Sequence, residues 1–365
     1  MKFKIFGFLE ITKNQFIIIE TVLFVFFFLL TIFFFSYTFP EYIDNPLILF
    51  HAKYLKYVSL TLSFLIVVET QYYLNKLIGK QLEVNSLQKK KISKQNKEIK
   101  ESIYYASHIQ NALLSAKGKI PKYLDYFIFY KPKDIVSGDY YWFFEKCGKL
   151  IIVVADCTGH GVPGAFMSVL GISSLNEIVT ETDKCLNSDE ILNSLRSRII
   201  NSLEHKEEDL ISEAGMDLSI IIYDRENYEV QFSGAKNPLF ILRNKKEGDI
   251  EISNIKKTEL GNFALYQVKA DNMPIGKYPK MEPFSKEIIK LKKNDTLYMF
   301  SDGFADQFGG KFGKRLMIKR FRELLLRVQE KNMKEQEVIF EAYLNKWKNT
   351  YEQTDDIIVM GIRID

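Results

Sequence analysis

The chain has 365 residues, of which 47% are hydrophobic and 14% aromatic, which is more than a purely soluble protein needs. Its net charge of +4 is too small to indicate a nucleic-acid-binding protein, and no nucleic-acid partner is expected. Its three cysteines have no paired spacing, which argues against a disulfide framework and is typical of a reducing cytoplasm.

The excess of apolar residues lies near the N-terminus. Residues 21–40 contain no charged side chain, and this is about the length that crosses a hydrocarbon core of roughly 30 Å. A second apolar run, residues 57–75, carries one acid, Glu69, and we interpret it as a second span rather than an interfacial helix. We therefore predict a cytoplasmic segment at residues 1–14 and a transmembrane hairpin at residues 15–75.

Lysines mark the cytoplasmic side of this hairpin, because they are frequent outside the two spans and sparse in the loop between them. We expect a two-pass protein of the inner (cytoplasmic) membrane, with its N-terminus and its C-terminal domain in the cytoplasm. The flanking lysines would contact anionic membrane lipid or form a solvated helix face. They are Lys2, Lys4, Lys13, Lys76, Lys80 and residues 89–91, against Lys53 and Lys56 in the loop.

Residues 76–118 are predicted to form a helical linker. Up to residue 117 this segment has no proline, and Gly79 is its one interior glycine. A heptad frame favours a coiled-coil-like homodimer that carries a signal from the membrane; an amphipathic helix packed on the next domain is the alternative. The two seam positions hold Leu82, Lys89, Asn96, Ile103 and Gln110, and Ile78, Asn85, Ile92, Ile99, Ala106 and Leu113.

Residues 119–365 show short β-rich runs with helical stretches between them. Several runs are apolar at every position, which indicates strands buried on both faces. Helices in two blocks around two groups of strands predict a layered α/β sandwich, with residues 244–257 as a surface excursion. The predicted strands are 126–130, 140–144, 150–154, 218–223, 229–232, 239–242, 296–300 and 357–362, and the helices are 163–180, 188–205, 314–329 and 334–350.

Four aspartates lie where an apolar run of this domain meets a turn: Asp139, Asp156, Asp302 and Asp355. The runs 139–146 and 149–156 flank Cys147-Gly148, a two-residue hairpin turn in which glycine takes the positive φ. In that register Asp139 faces Asp156. Two carboxylates directly opposite each other repel, so a hard divalent cation such as magnesium or manganese is expected between them.

Seven sequence motifs of the domain resemble those of a known protein family and occur in the same order. From about residue 103 to the end, the chain resembles the PPM (type 2C) metal-dependent protein phosphatases, in particular their bacterial SpoIIE-like branch. The resemblance implies an αββα sandwich with a dimetal site at one edge of the paired sheets. The motifs, in family order, are KPKDIVSGDYYWF, ADCTGHGVPGAFMSVLG, GMDLSIIIYD, FSGAKNPLFILR, NMPIG, DTLYMFSDGFADQFGG and TDDIIVMGI.

The resemblance also implies roles for the metal-binding residues. Asp156 would bridge two Mn²⁺ or Mg²⁺ ions, and the backbone carbonyl of Cys157 would complete one of them. Asp302 and Asp355 would hold the other ion, and Asp139 would bind metal directly or through water. Asp306 would contribute to a weaker third metal site. A water activated by the two metals would attack the phosphorus without a covalent phosphoenzyme.

His160, in the sequence TGHG, is a candidate general acid that protonates the leaving oxygen; a turn histidine that stabilises the loop is the other interpretation. Asp217 and Asn237 lie in family-like motifs but have no assigned chemistry. The phosphate-binding arginine of many eukaryotic relatives has no evident counterpart, and Lys131 or Lys133 is the candidate substitute.

Together these features predict a membrane-tethered serine/threonine phosphatase. By resemblance, its substrate would be a phosphorylated regulatory protein similar to an anti-anti-sigma factor, and the helix around residues 99–113 would control activity. A pseudophosphatase scaffold that binds a phosphoprotein without turnover is the alternative, although it predicts the loss of at least one metal-binding aspartate. No such loss is seen in the sequence.

Overall fold

The structure, a computed structural model, describes residues 2–5, 9–12, 26, 46–114, 120–203, 214–252 and 255–365. The chain forms two compact units, Met1–Lys97 and Glu98–Asp365. The predicted first membrane span, residues 21–40, lies outside the described residues except for Phe26, which is helical. The predicted domain boundaries at residues 14, 75 and 118 stay predictions.

The first unit contains a short hairpin and most of a long helix. Strands β1 (Lys2–Ile5) and β2 (Leu9–Thr12) pair antiparallel, an element that the sequence analysis did not expect. Helix α1 (Pro46–Leu114) begins at a proline, which suits the first helical turn because its missing N–H needs no partner there. It includes the predicted second span at residues 57–75, most of whose large apolar side chains are exposed.

In the part of the chain that the structure describes, one helix, Gly161–Thr180, has the length and mean hydropathy of a membrane span. Half of its most hydrophobic 18-residue stretch is buried within the protein. Ile172 and Leu175 of this helix are almost fully buried, at 1% and 0% exposure, so it is a core helix of the second unit.

The second unit is built on two antiparallel sheets. The first has the strand order β3-β16-β13-β8-β10-β9, and the second has the order β12-β7-β6-β5-β4 with β11 paired to β6. The strands are β3 (Asp125–Lys131), β4 (Tyr140–Lys146), β5 (Lys149–Cys157), β6 (Gly215–Asp224), β7 (Glu229–Ala235), β8 (Leu239–Asn244), β9 (Lys256–Leu260), β10 (Phe263–Val268), β11 (Ile275–Gly276), β12 (Glu287–Lys290), β13 (Thr296–Phe300) and β16 (Ile357–Arg363).

Helices cover the outer faces of both sheets. Helices α2 (Gly161–Thr180) and α3 (Ser188–Leu203) pack on the second sheet. The short helix α4 (Gly303–Asp306) and the hairpin β14 (Phe308–Gly309) and β15 (Lys314–Arg315) follow β13. Helices α5 (Met317–Arg327) and α6 (Met333–Lys348) then pack on the first sheet.

The two sheets and the two helical pairs, α2 with α3 and α5 with α6, form four layers. Three apolar cores lie between these layers. Val153 faces α2 and α3, whereas its neighbour Val154 points into the core between the two sheets. This alternation explains why β5 is apolar at successive positions: both of its faces are buried. Burial of each such side chain contributes about 1.5–3 kcal/mol. Phe321 and Phe340 dominate the third core, between the first sheet and its helices. The predicted αββα sandwich is confirmed.

The eight predicted strands and four predicted helices are all present, with ends that differ by a few residues. The sequence analysis missed the strands from β9 to β12. Strand β9 has the polar sequence KKTEL and lies at a sheet edge, so it lacks the apolar pattern of a core strand. The predicted surface excursion at 244–257 contains a short 3₁₀ helix, Lys245–Glu247, and ends in β9.

The expectation from cysteine spacing of no disulfide framework, which also favoured a reducing cytoplasm, was wrong for two of the three cysteines. Cys147 and Cys185 form a disulfide with a Cα–Cα distance of 6.1 Å, and Cys157 is free and buried. Cys147 lies in the β4–β5 turn and Cys185 in the α2–α3 loop. The two are 38 residues apart, so sequence spacing gave no sign that the fold brings these loops together.

The last turns of α1, from Glu98 onward, belong to the second unit and are partly buried within it. Ser107, Gln110 and Leu114 are buried, with exposures of 8%, 4% and 4%, whereas Ile99 and Leu113 of the predicted seam are 57% and 39% exposed. The alternative interpretation, an amphipathic helix packed on the domain, therefore describes the end of α1. The coiled-coil dimer stays a prediction.

Candidate metal centre

The β4–β5 hairpin has the predicted register. Tyr140 pairs with Ala155 and Lys146 with Lys149, which brings Asp139, the residue before β4, opposite Asp156. Both turn residues have positive φ, +53° at Cys147 and +70° at Gly148. The prediction assigned positive φ to glycine alone; a turn of this kind requires it at both central positions.

Asp139 is a buried carboxylate that no compensating positive charge accompanies in the described part of the chain. The residue is 2% exposed, and its Oδ2 has no hydrogen-bond partner among the described residues. Burial, followed by the negative charge of Asp156, raises the pKa of Asp139 well above its usual range. A hydrogen bond from Ser301 opposes this shift only in part. An ionised carboxylate in this position needs a cation.

Asp156 and Asp302 lie beside each other at the strand ends. The backbone N–H of Asp302 points to Asp156 Oδ2 at 3.5 Å. Burial, and then the charge of Asp302, raise the pKa of Asp156 well above its usual range. The pKa of Asp302 is raised to about 6, by burial and then by the charges of Asp306 and Asp355. Asp302 is nevertheless exposed at the rim of the site, so solvent reaches this side of the cluster.

Of the adjacent Asp355 and Asp356, the second has a role that sequence analysis missed. Asp356 is 3% exposed and accepts the backbone N–H of Lys133 through Oδ1 and that of Gly138 through Oδ2, both at 2.7 Å. It therefore ties the loop before Asp139 to the start of β16. Asp355 is half-buried, and its charge contributes to the raised pKa values of Asp139, Asp156 and Asp302.

Asp217 is a second missed member of the cluster. It lies directly opposite Asp156 in the β5–β6 ladder, a pairing that no sequence spacing reveals because α2, α3 and their connecting segments intervene. Burial raises the pKa of Asp217, and the ammonium of Lys236, 3.3 Å away, lowers it in part.

The predicted accessory residues have partners of their own. Asp306 follows Asp302 by one helical turn and forms an ion pair with Arg315, Nη1 to Oδ2, at 2.8 Å. Lys131 Nζ donates to Asn345 Oδ1 at 3.4 Å, and the backbone of Lys133 binds Asp356. The third metal at Asp306 and the phosphate contacts of these lysines remain predictions.

Glycines let the loop after β5 approach the loop before β4. A Cβ on Gly164 would come within 2.3 Å of the carbonyl oxygen of Gly159 and 2.8 Å of the Cα of Gly138. A Cβ on Gly138 would lie 3.2 Å from the carbonyl oxygen of Cys157. The Cys157 carbonyl, a predicted metal ligand, is thus close to the residue that precedes Asp139.

His160 is the N-cap residue of α2, without a side-chain capping hydrogen bond, and it pairs with an acid that sequence analysis did not consider. Its Nδ1 lies 2.8 Å from Asp134 Oδ2, and both side chains are about half exposed. This hydrogen bond agrees with a turn histidine that stabilises the loop. It also orients the ring, so the predicted general-acid role stays open.

The donor set of this site consists of oxygen atoms, which suits hard divalent cations. No three His, Cys, Asp or Glu side chains among the described residues already have the arrangement of a metal-binding cluster. The residues of the site nevertheless suit a hard divalent cation. Asp139 presents a buried oxygen without a partner in the described part of the chain, the charge of Asp156 raises the pKa of Asp139, and the charge of Asp302 raises the pKa of Asp156. A cation between them would relieve both effects.

Comparison with protein families gives the assignment. The family model of Stage II sporulation protein E (SpoIIE) matches residues 146–365, more than half of the chain. The chain belongs to the SpoIIE family. Comparison with curated protein sequences gives no match. As a SpoIIE-family member with a PP2C-type fold, the chain is a metal-dependent protein phosphatase, and the predicted family resemblance is confirmed.

Solved structures support the same fold. The SpoIIE-family chain is similar to the SiaA-PP2C domain of Pseudomonas aeruginosa, with 27% identity and a TM-score of 0.61 over 74% of this chain and 98% of that one. It is also similar in fold to the PP2C phosphatase domain of the cell fate determinant SpoIIE from Bacillus subtilis. That match has 20% identity and a TM-score of 0.50, and covers 66% of this chain and 62% of the other.

One further contact joins helix α1 to the site of this SpoIIE-family domain. Gln110, placed by the sequence analysis in a coiled-coil seam, is buried instead and donates through Nε2 to the backbone carbonyl of Ser137 and to Ser168 Oγ. Ser107 and Leu114, on the same face of α1, are also buried, and the heptad pattern gave no signal that separated Gln110 from a seam residue.

Proposed function

We propose that the protein is a membrane-tethered phosphatase that hydrolyses phosphoserine or phosphothreonine on a regulatory protein with the help of two Mn²⁺ or Mg²⁺ ions. One observation carries the proposal: the buried carboxylate of Asp139, whose Oδ2 has no hydrogen-bond partner among the residues that the structure describes, lies opposite Asp156 in a SpoIIE-family fold. A buried pair of like charges is unfavourable without a cation and is typical of a functional site.

In this proposal the carboxylates of Asp156, Asp302 and Asp355 and the backbone carbonyl of Cys157 would hold the two ions. Asp139 would hold one of them directly or through water. When bound, the ions supply Lewis-acid activation of water and stabilise the charge that develops on the phosphoryl group. Asp356 keeps Gly138 and Asp139 in position through its two backbone hydrogen bonds, and the exposed side of Asp302 leaves the rim open to a phosphorylated side chain.

His160 is the group that we propose to donate a proton to the leaving serine or threonine oxygen. Its hydrogen bond to Asp134 through Nδ1 leaves Nε2 available for this transfer. Both residues are half exposed, so the imidazole exchanges its proton readily with solvent.

The membrane attachment is supported by the exposed apolar side chains of α1. Leu62, Phe64, Leu65 and Ile66 are between 56% and 62% exposed, an apolar surface that water does not favour and a lipid bilayer would cover. The lysines that flank residues 15–75 support a cytoplasmic location of the phosphatase domain at the inner membrane.

A homodimer through α1 is part of the proposal. Ile92 and Ile99 of the predicted seam are both 57% exposed, and a second copy of this helix would bury them. A phosphorylated regulator of the anti-anti-sigma type is the proposed substrate, which rests on family membership alone.

The test is manganese-dependent hydrolysis of a phosphoserine peptide by the purified full-length chain. Asp156→Asn and Asp302→Asn are expected to lower kcat/KM by at least about 100-fold, because each removes a charge that the metals require. Asp183→Asn is the matched control, because Asp183 is exposed in the α2–α3 loop. Its kcat/KM should equal that of the wild-type chain.

Manganese binding by calorimetry distinguishes the two functional interpretations. Tight binding to the wild-type chain without hydrolysis would favour a phosphoprotein-binding scaffold. Equal, metal-independent rates in wild type and both site variants would contradict the enzyme proposal.

A further inference from the structure

Lys236 has a backbone conformation that a lysine seldom adopts. It lies in the turn between β7 (Glu229–Ala235) and β8 (Leu239–Asn244), and its φ is +58°. This left-handed region is unfavourable for a residue with a Cβ, and non-glycine residues there are concentrated at functional sites.

The turn is fixed by its surroundings. The backbone N–H of Lys236 donates to the carbonyl of Asp271 at 2.8 Å, and the N–H of Asp271 donates to the carbonyl of Gly234 at 3.0 Å. A Cβ on Gly234 would come within 2.6 Å of the Cβ of Ala270, so the two segments pack at a distance that only glycine permits. The backbone at Lys236 is therefore held firmly, although its side chain is not part of a core.

This conformation directs the ammonium group to the carboxylate cluster. Lys236 Nζ lies 3.3 Å from Asp217 Oδ1, and Asp217 is directly opposite Asp156 in the β5–β6 ladder. Directly opposed residues project from the same face with Cβ atoms about 4.5–5.5 Å apart. Lys236 therefore contributes a positive charge one residue away from the proposed bridging ligand.

The ammonium is still available for another partner. The Lys236 and Asp217 side chains are 39% and 36% exposed, and their separation exceeds the roughly 2.7–2.9 Å of a charge-assisted hydrogen bond. A lysine has three N–H donors, so this single long contact leaves capacity for others. Arg315, the other cation paired with a cluster acid, is held more closely, at 2.8 Å from Asp306, and stacks on Phe308.

We propose that Lys236 is a substrate-binding residue that contacts the oxygens of the phosphoryl group at the metal centre. The inference rests on the proposed function and adds to it the phosphate-binding cation that the sequence analysis sought at Lys131 or Lys133. A phosphate dianion attracts Lys236 more strongly than the single carboxylate of Asp217, so the side chain moves from one to the other when substrate enters.

A purely local role is the competing interpretation. In that case Lys236 only neutralises Asp217, and removal of both charges would restore function. The two roles therefore predict opposite results for the double variant Lys236→Met with Asp217→Asn.

The experiment measures KM for a phosphoserine peptide and, separately, the Kd for inorganic phosphate by calorimetry, using the manganese-loaded full-length chain. The variants are Lys236→Met, Lys236→Arg, Asp217→Asn and the double variant. Lys245→Met is the matched control: Lys245 is 41% exposed and pairs with Glu259 at 3.6 Å, at the β9 edge of the other sheet. Manganese affinity is measured on the same samples.

Lys236→Met is expected to raise both KM and the phosphate Kd about tenfold, the loss of one hydrogen bond to a charged group. Lys236→Arg should stay within about threefold of wild type because it keeps the charge. The double variant should remain as impaired as Lys236→Met, and Lys245→Met should be unchanged.

Three results would overturn the inference: an unchanged phosphate Kd in Lys236→Met, full recovery in the double variant, or an effect confined to manganese affinity. The phosphate measurement does not require turnover. If the wild-type chain binds phosphate through Lys236 but hydrolyses nothing, the proposed function fails and the inference stands. If it hydrolyses the peptide and Lys236→Met binds phosphate normally, the inference fails and the function stands.

Discussion

The side-chain amide of Gln110 binds both backbone polar groups of Ser137. Its Nε2 donates to the Ser137 carbonyl at 2.6 Å, and its Oε1 accepts the Ser137 N–H at 3.1 Å. Ser137 is two residues before Asp139, and Asp139 N donates to Ser137 Oγ. The end of α1 is thereby connected to the loop that carries Asp139. A displacement of this helix would therefore change the position of the Asp139 carboxylate.

Replacement of Gln110 by alanine should therefore weaken manganese binding and activity together. The change leaves two buried backbone groups of Ser137 without partners, which costs about 1–3 kcal/mol, and frees the loop before Asp139. Calorimetric titration with manganese and phosphopeptide hydrolysis measure the effect. Asn111→Ala, an exposed polar residue on the same turn of α1, is the control and should behave as wild type. Normal manganese affinity in Gln110→Ala would contradict this connection.

Asp302 should give the site a pH dependence. Its pKa is raised to about 6 in the folded chain from an ordinary value of 3.8, so the folded state binds the proton more tightly than the unfolded state. Without metal, the free energy of unfolding should thus fall as the pH rises from 3.8 to about 6. Metal binding needs the ionised carboxylate, so manganese affinity should increase over the same interval.

Manganese titrations between about pH 5 and pH 7.5 test this dependence, since they bracket the raised pKa. Asp302→Asn should bind more weakly and show a shallower pH profile, because one of the titrating ligands is gone. A wild-type affinity that does not change with pH would show that the carboxylates are already fully ionised at pH 5.

The neighbours Asp355 and Asp356 should respond differently to the same substitution. Asp356→Asn replaces one of two acceptor oxygens by an NH₂ group, which cannot accept the N–H of Lys133 or Gly138. We expect a loss of about 1–3 kcal/mol in the free energy of unfolding. Asp355→Asn should leave stability within about 0.5 kcal/mol of wild type but weaken manganese binding. Denaturant unfolding and calorimetry separate the two effects, and equal stability losses in both variants would contradict the assignment.

The Cys147–Cys185 disulfide should stabilise the hairpin that carries Asp139 and Asp156. The bridge closes a loop across a separation of 38 residues, for which chain entropy gives a contribution of about 4 kcal/mol. Reduction with dithiothreitol should lower the denaturant midpoint of the wild-type chain. The double variant Cys147→Ser with Cys185→Ser should have the lower denaturant midpoint both with and without dithiothreitol. A wild-type midpoint that the reductant leaves unchanged would mean that the bridge does not contribute.

The sequence by itself determined the elements with strong local signals. The β4–β5 register follows from the two-residue turn at Cys147 and Gly148, because a hairpin turn of known length fixes which residues face each other. The strands with both faces apolar and the core helices were also found, because burial on two sides leaves a continuous apolar run. Seven motifs in order then indicated the family.

The tertiary structure alone decided which distant residues meet. Asp217 reaches Asp156 through strand pairing across two intervening helices, and Lys236 reaches Asp217 from a separate turn. Gln110 was indistinguishable from a seam residue until its helix packed on the domain, and the Cys147–Cys185 bridge joins two loops with no local relation. These contacts depend on how layers stack and strands pair over long distances, which periodicity and turn chemistry do not encode. The sequence therefore indicated Asp139, Asp156, Asp302 and Asp355, and packing supplied the hydrogen bonds of Asp356, the counter-charge of Lys236 and the connection to α1.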